Sequence, residues 1–168
     1  MAIVLVIIVL PGLLALAAGW DLASYTIPNR LPLALIAAFL AFFAVSGLPL
    51  AGLGWHLAAG ALALAVGFGF FAARWIGGGD AKLFAATALW FGFADFASYT
   101  LMAALFGGAL TLVILMTRRL PLPSMLVNQQ WLLRLHDSRS GIPYGVALAA
   151  GALAVLPHTE IFRLAMHA

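Results

Sequence analysis

Two acidic residues stand out by position. Asp80 follows three glycines in the block Gly77-Gly78-Gly79-Asp80-Ala81-Lys82-Leu83, between two long apolar stretches, and Asp21 closes the first apolar stretch beside Trp20 and Tyr25. A carboxylate in a membrane-length apolar stretch is expensive, which makes each acid a candidate for function. Two carboxylates converging from different helices can divide acid–base work. One, ionised, takes a proton from water, and the other, protonated, polarises a carbonyl. That chemistry is peptide hydrolysis of the aspartic type. Glycines allow positive φ and close backbone approach, and an Asp just before a helix can cap its free N–H groups. Taken alone, the glycine block therefore reads more readily as a tight helix-turn-helix with an N-cap aspartate, and Asp21 alone equally as an interfacial acid at a helix end or as a functional one. The pair is what favours chemistry.

No other catalytic set competes. The absence of cysteine removes thiolate catalysis, zinc-thiolate sites and disulfides together. Ser24, Ser138 and Ser140 lack an evident His and Asp at a shared position. The four histidines occur singly, without the paired spacing of a metal-binding helix, and read as surface or interfacial residues. No cofactor and no metal are expected. Lys82, half a turn beyond Asp80, holds that carboxylate charged, meets an acidic substrate residue, or simply snorkels to the interface; its spacing is compatible with all three.

The elements that position these acids must be helices in a membrane. With 65% hydrophobic and 8% charged residues among 168, the chain has too little polar surface for a soluble globule. Long apolar runs without alternation exclude a β-barrel, so the expected fold is all-α and polytopic, with residues 1–168 forming one membrane-embedded domain and no separate soluble domain. A net charge of +3 in such a chain reports topology rather than nucleic-acid binding.

Six apolar segments are expected to be transmembrane helices. Ala2 to Trp20 has the length of a span, and without a basic start it reads as a retained helix and not a cleaved signal. Ile27-Pro28-Asn29-Arg30 then breaks the chain. A second segment runs from Leu31 to Leu48, and a third ends near Trp75 with small residues Gly60, Ala63 and Gly67 on one face for close packing. The fourth, Ala81 to Phe93, is short of the bilayer unless it continues to Tyr99, so its start is expected in a protein-lined recess. Ala97 to Thr117 makes the fifth, with Gly107-Gly108 as a packing notch, and Val146 to Leu156 the sixth. Between them, residues 121–141 read equally as a plain loop or as an amphipathic segment with Met125, Leu126, Leu132 and Leu135 on one face. Six crossings place Arg30, Arg74, Lys82, Arg118, Arg119, Arg134 and Arg139 on one side and Arg163 on the other. By the positive-inside rule the basic side is cytoplasmic, and it also holds Asp21 and Asp80, whereas Asp95 falls opposite and Asp137 in the polar loop.

Three motifs in order carry a family resemblance. Asp21 followed by Ile27-Pro28-Asn29, the Gly77 to Leu83 block, and Ile142-Pro143-Tyr144-Gly145 opening the last helix resemble the type IV prepilin peptidases, GxGD aspartic proteases of bacterial membranes, in the short form associated with Tad-type pili. The resemblance implies that Asp21 and Asp80 are the catalytic pair. It implies Ile27, Pro28, Asn29, Gly77, Gly79, Lys82, Pro143, Tyr144 and Gly145 as supporting positions. It further implies removal of the basic leader of a membrane-inserted pilin precursor at the cytoplasmic face of the inner membrane. Longer members that also methylate the new N-terminus carry an inserted domain with paired cysteines, which this sequence lacks, so methylation does not follow. GxGD also resembles the presenilin and signal-peptide-peptidase group, but those pair it with a Tyr-Asp motif, and here Trp20 precedes Asp21. A proton-coupled transporter would account for the buried acids but not for the glycine block with Ile-Pro-Asn, and a non-catalytic membrane subunit of a secretion machine is a third alternative.

Overall fold

The computed structural model describes residues 1–122 and 128–167. Among them, regular structure is entirely helical: α1 (Ala2–Ser24), α2 (Arg30–Ser46), α3 (Leu50–Ala72), α4 (Gly78–Thr117), α5 (Gln130–His136), α6 (Tyr144–Val155) and α7 (Glu160–His167), with a 3-10 turn at Leu156–His158. By length and apolarity α1, α3 and α4 can each cross a membrane, and α6 with α7 makes a fourth candidate bent by 53°. The six crossings expected from the sequence are thus not established by helix length.

α1 widens to a π turn at Leu5–Val9 immediately before Pro11. A proline ring clashes with the carbonyl four residues back, and the wider turn gives it room.

α4 is not one straight rod. Gly92 inside it has φ 59 and ψ −173, far from helical geometry. Phe84 and Tyr99 would stand about 22 Å apart along a continuous helix, yet their ring centroids are 5.5 Å apart, and those of Phe84 and Phe96 6.0 Å. The chain therefore folds back at Gly92 into two arms, residues 78–91 and 93–117. The first arm is about 21 Å long and does not run on to Tyr99. It corresponds to the expected fourth helix, and the second arm to the fifth.

Small residues set how closely the helices approach. On α3, a Cβ at Gly67 would lie 3.1 Å from the Ala81 Cα, and one at Gly60 3.3 Å from the Leu89 side chain, so the expected stripe packs α3 on the first arm of α4. A Cβ at Gly151 of α6 would lie 2.6 Å from the Ala103 nitrogen, and one at Gly107 3.2 Å from the Tyr144 ring. Gly107 is thus a packing notch; Gly108 has nothing near it. The core gathers Phe39, Phe42 and Trp90, all fully buried, and the Trp90 indole N–H donates to the Leu35 carbonyl at 3.0 Å.

Two local expectations are corrected. The glycines at 77–79 do not supply positive φ: Gly77 is extended, Gly78 and Gly79 already belong to the helix, and Asp80 sits within its first turn. The positive φ that turns the chain after α3 is at Arg74, φ 62. His56 is not an interfacial filler but a buried residue whose Nδ1 is 2.8 Å from the Leu89 carbonyl oxygen, with its ring against Gly92 and Phe39. The tail forms α7, whose first turn is capped by Thr159 Oγ1 accepting from the Phe162 N–H and by Asp95 Oδ2 accepting from the Glu160 N–H. In the polar segment a helix does form, at Gln130–His136, with Leu132 and Leu135 half-buried; Met125 and Leu126 lie outside the described residues.

Candidate functional site

The ends of five helical segments meet at one end of the bundle: the last turn of α1, the start of α2, both ends of α4 and the start of α6. Asp21 occupies the last turn of α1 and is 4% exposed. The α1 carbonyl at Asp21 accepts from the N–H of Tyr25, which stops the helix in a left-handed conformation, φ 57. Reversal there sends Thr26 to Asn29 back across the helix end. Asp80 occupies the first turn of α4, 8% exposed, and its Oδ2 accepts from the Gly77 N–H at 3.0 Å, closing the helix N-terminus on itself.

Both aspartates line one pocket of 340 Å³, together with Tyr25, Thr26, Ile27, Asn29, Gly77, Gly78, Gly79 and Lys82. Asp21 is near enough to act electrostatically on Asp80. The Gly145 N–H at the start of α6 donates to Asp21 Oδ2 at 2.7 Å. Asp80 Oδ1 has no hydrogen-bond partner among the described residues, although it is buried. Each carboxylate is therefore braced through one oxygen by a backbone N–H from outside its own helical ladder. Asp80 keeps a second oxygen for whatever enters the pocket.

The glycines of the site work by closeness. A Cβ at Gly145 would stand 2.9 Å from both Asp21 Oδ2 and Ile27 Cδ1, one at Gly79 3.0 Å from Ile27 Cβ, and one at Gly77 3.0 Å from Asp80 Oδ2. Ile27 is buried at the centre of these approaches, Pro28 is half-buried, and Asn29 is exposed. Lys82 does not pair with Asp80: its Nζ donates to Asn29 Oδ1 at 2.9 Å, tying the start of α4 to the start of α2. Pro143 is buried at the N-cap of α6, while Tyr144 turns its ring to Gly107 and not into the pocket.

Two neighbours were not anticipated. Tyr25 lines the pocket, and its phenol oxygen is buried without a partner among the described residues. Burial raises its pKa more than the nearby Arg118 guanidinium lowers it, leaving a neutral phenol with a proton to donate. A left-handed tyrosine is uncommon, and sequence alone gives no signal for it. Arg118, just beyond α4, donates through Nε to the Leu135 carbonyl and through one terminal nitrogen to the carbonyls of Ser140 and Gly141. It holds the segment that delivers Pro143 and Gly145. Its sequence signal is only that of a topological charge.

No curated protein and no solved structure matches the chain. The model of the type IV leader peptidase family matches residues 8–112, more than half of the sequence, spanning Asp21, the Ile27-Pro28-Asn29 segment and the whole glycine block. Gly145 and its neighbours lie beyond the matched range, and their place in the site rests on the contacts with Asp21 and Ile27. On that match the chain belongs to the type IV leader peptidase family.

Proposed function

We propose that this peptidase is an aspartic endopeptidase in which Asp21 and Asp80 together cleave the leader from pilin precursors. The observation that carries the reading is the convergence of two carboxylates, from separate helices, in one pocket with a backbone N–H on each. In such a pair one proton is shared, because two charges in one small pocket repel. The ionised member takes a proton from a water as its oxygen attacks the scissile carbonyl. The protonated member hydrogen-bonds the carbonyl oxygen, and the leaving amine then collects a proton from the pair. Tyr25 adds a neutral donor at the pocket wall. Ile27, Gly77, Gly79 and Gly145 set the distances, and Asn29 with Lys82 marks the polar rim.

The same reading covers the whole chain as one membrane domain with six crossings, α4 contributing two through its reversal at Gly92. Arg30, Lys82, Arg118 and Arg119 sit at the helix ends that meet at the aspartates, and the positive-inside rule then makes that end cytoplasmic, in a bacterial inner membrane. The substrate is a pilin precursor with a basic leader in the cytoplasm and an apolar helix in the bilayer, and the resemblance points to the Tad-type form. Methylation is not part of the proposal.

The test is purified protein incubated with a leader-bearing pilin precursor. Wild type shortens it, whereas Asp21→Asn and Asp80→Asn each lower the rate by about 10³-fold or more with insertion and thermal stability retained. Near-wild-type cleavage by either variant refutes the pair, and no cleavage by wild type returns the chain to a transporter or a subunit role. Reporters fused after Arg30 and Arg119 read cytoplasmic; an external reading puts the acids on the wrong side for a cytoplasmic leader.

A further inference from the structure

A second, larger cavity adjoins the aspartate pocket. It has a volume of 510 Å³, and its wall includes Asn29 and Lys82, which line the aspartate pocket as well. Away from that shared rim it is apolar. Leu33 and Ile36 of α2 form one edge and Leu57 and Leu64 of α3 the other, all exposed, with Gly60, Ala61 and Ala86 between them. The spacing from Leu57 to Leu64 on α3, and from Lys82 to Leu89 on the first arm of α4, corresponds to about 10 Å of helix, or two turns.

We infer that this groove seats the first two helical turns of the substrate's apolar segment, the roughly seven residues that follow the scissile bond, and so helps to decide which precursors are cut. The inference rests on the peptidase reading of the aspartate pocket. One chain entering both cavities must change from an extended, cleavable stretch at the aspartates to a helix beyond them. The first turn of that helix leaves backbone N–H groups without intrahelical partners. Asn29 Oδ1 and Lys82 Nζ bond each other at that place, and the oxygen's second lone pair and the ammonium's remaining N–H groups are left as acceptor and donor for the entering chain. A lipid tail would need neither group. Below the rim, small residues on the groove floor allow a second helix to approach closely, which is how helices associate where lipid is as apolar as they are. Leu33, Leu57 and Leu64 then flank the guest helix on both sides.

The test separates the groove from the chemistry by using two substrates. One is a pilin precursor with its leader and apolar helix; the other keeps the leader and scissile bond but carries a Gly/Ser segment in place of the helix. Ala61→Phe fills the groove without touching the aspartate pocket, so KM for the helix-bearing substrate rises at least tenfold while turnover of the Gly/Ser substrate is unchanged. An unchanged KM for the helix-bearing substrate overturns the inference. The chain has no cysteine, so a second readout needs no background removal. With an added thiol oxidant, Ala61→Cys forms a disulfide with a cysteine placed within seven residues of the scissile bond, and Val113→Cys, exposed on the second arm of α4, does not. Equal capture at both positions, or none at Ala61, overturns the groove. Selective capture at Ala61 without any cleavage by wild type supports the groove and defeats the peptidase reading, so the two failures are distinct.

Discussion

Gly145→Ala tests whether the acids are held by distance rather than by residue type. The substitution keeps the Gly145 N–H that Asp21 accepts, adds a single methyl group, and occurs within a helix, where alanine is favoured over glycine by up to about 1 kcal/mol. Against that gain, the new Cβ would stand 2.9 Å from Asp21 Oδ2, 2.9 Å from Ile27 Cδ1 and 3.0 Å from Asp21 Cβ. Carbon contacts relax to about 3.5 Å or more, so Asp21 or α6 must give by roughly half an ångström. Overpacking of this kind costs about 1–3 kcal/mol, which leaves a net loss of at most about 3 kcal/mol and a folded protein. Misplacement of a reacting group by about 1 Å can cost 100-fold in rate, and half that displacement predicts a fall in kcat of about tenfold. The assay is single-turnover cleavage of a pilin precursor, with KM measured alongside and thermal unfolding as the stability control. Gly108→Ala, which meets nothing within 4 Å, is the matched change and should leave kcat alone. A Gly145→Ala protein that cleaves at the wild-type rate refutes the claim that the glycine exists to admit Asp21.

Two further outcomes follow from side chains that the sequence did not single out. Arg118→Gln removes bonds to the Leu135, Ser140 and Gly141 carbonyls and loosens the approach to Gly145; kcat should fall about tenfold, equivalent to about 1.4 kcal/mol, with KM little changed. Arg118→Lys should not restore it, because one ammonium cannot match a fork spread over carbonyls on two sides. Full activity in Arg118→Gln would show that α6 is held without it. His56→Phe keeps the ring but leaves the buried Leu89 carbonyl without its side-chain partner, a loss of about 1–3 kcal/mol that thermal unfolding measures. Because His56 packs at Gly92, the far end of the first arm from Asp80, the folded variant should cleave normally; a loss of rate without a loss of stability would tie that end to the chemistry.

Much of the architecture was legible because hydrophobic length is a strong signal in a membrane. The helix stretches, the stripe Gly60, Ala63 and Gly67, and the ends of the second and fifth segments all fall close to where side-chain chemistry puts them. What was not legible depended on single backbone angles and single partners. Gly92 lies in an unbroken apolar run, where a glycine reads as a packing residue, and only the aromatic contacts across the reversal reveal its positive φ. At 77–79 the error ran the other way: three glycines suggested unusual φ, and their use is to let other atoms in. His56 looked idle because its partner is a backbone carbonyl 33 residues away, and nothing in a sequence marks a carbonyl as accessible.

Ile27 explains why motifs so far apart in the chain belong together. It carries no chemistry, yet a Cβ at Gly79 would run into its Cβ, and a Cβ at Gly145 into its Cδ1. One buried apolar side chain therefore sits between the start of α4 and the start of α6, beside the pocket that both acids line. Asp21 is six residues before it on the chain and reaches Gly145; Asp80 directly follows Gly79. A larger residue at 27 would drive the two helix starts apart, and a smaller one would let them collapse into the pocket. Pro28 restricts the backbone of Ile27 to extended geometry, and Asn29 then ties the loop to Lys82. Ile-Pro-Asn is thus the spacer for the two helix starts that brace the carboxylates, which is why the glycines that accommodate it lie next to the acids and not elsewhere in α4 and α6.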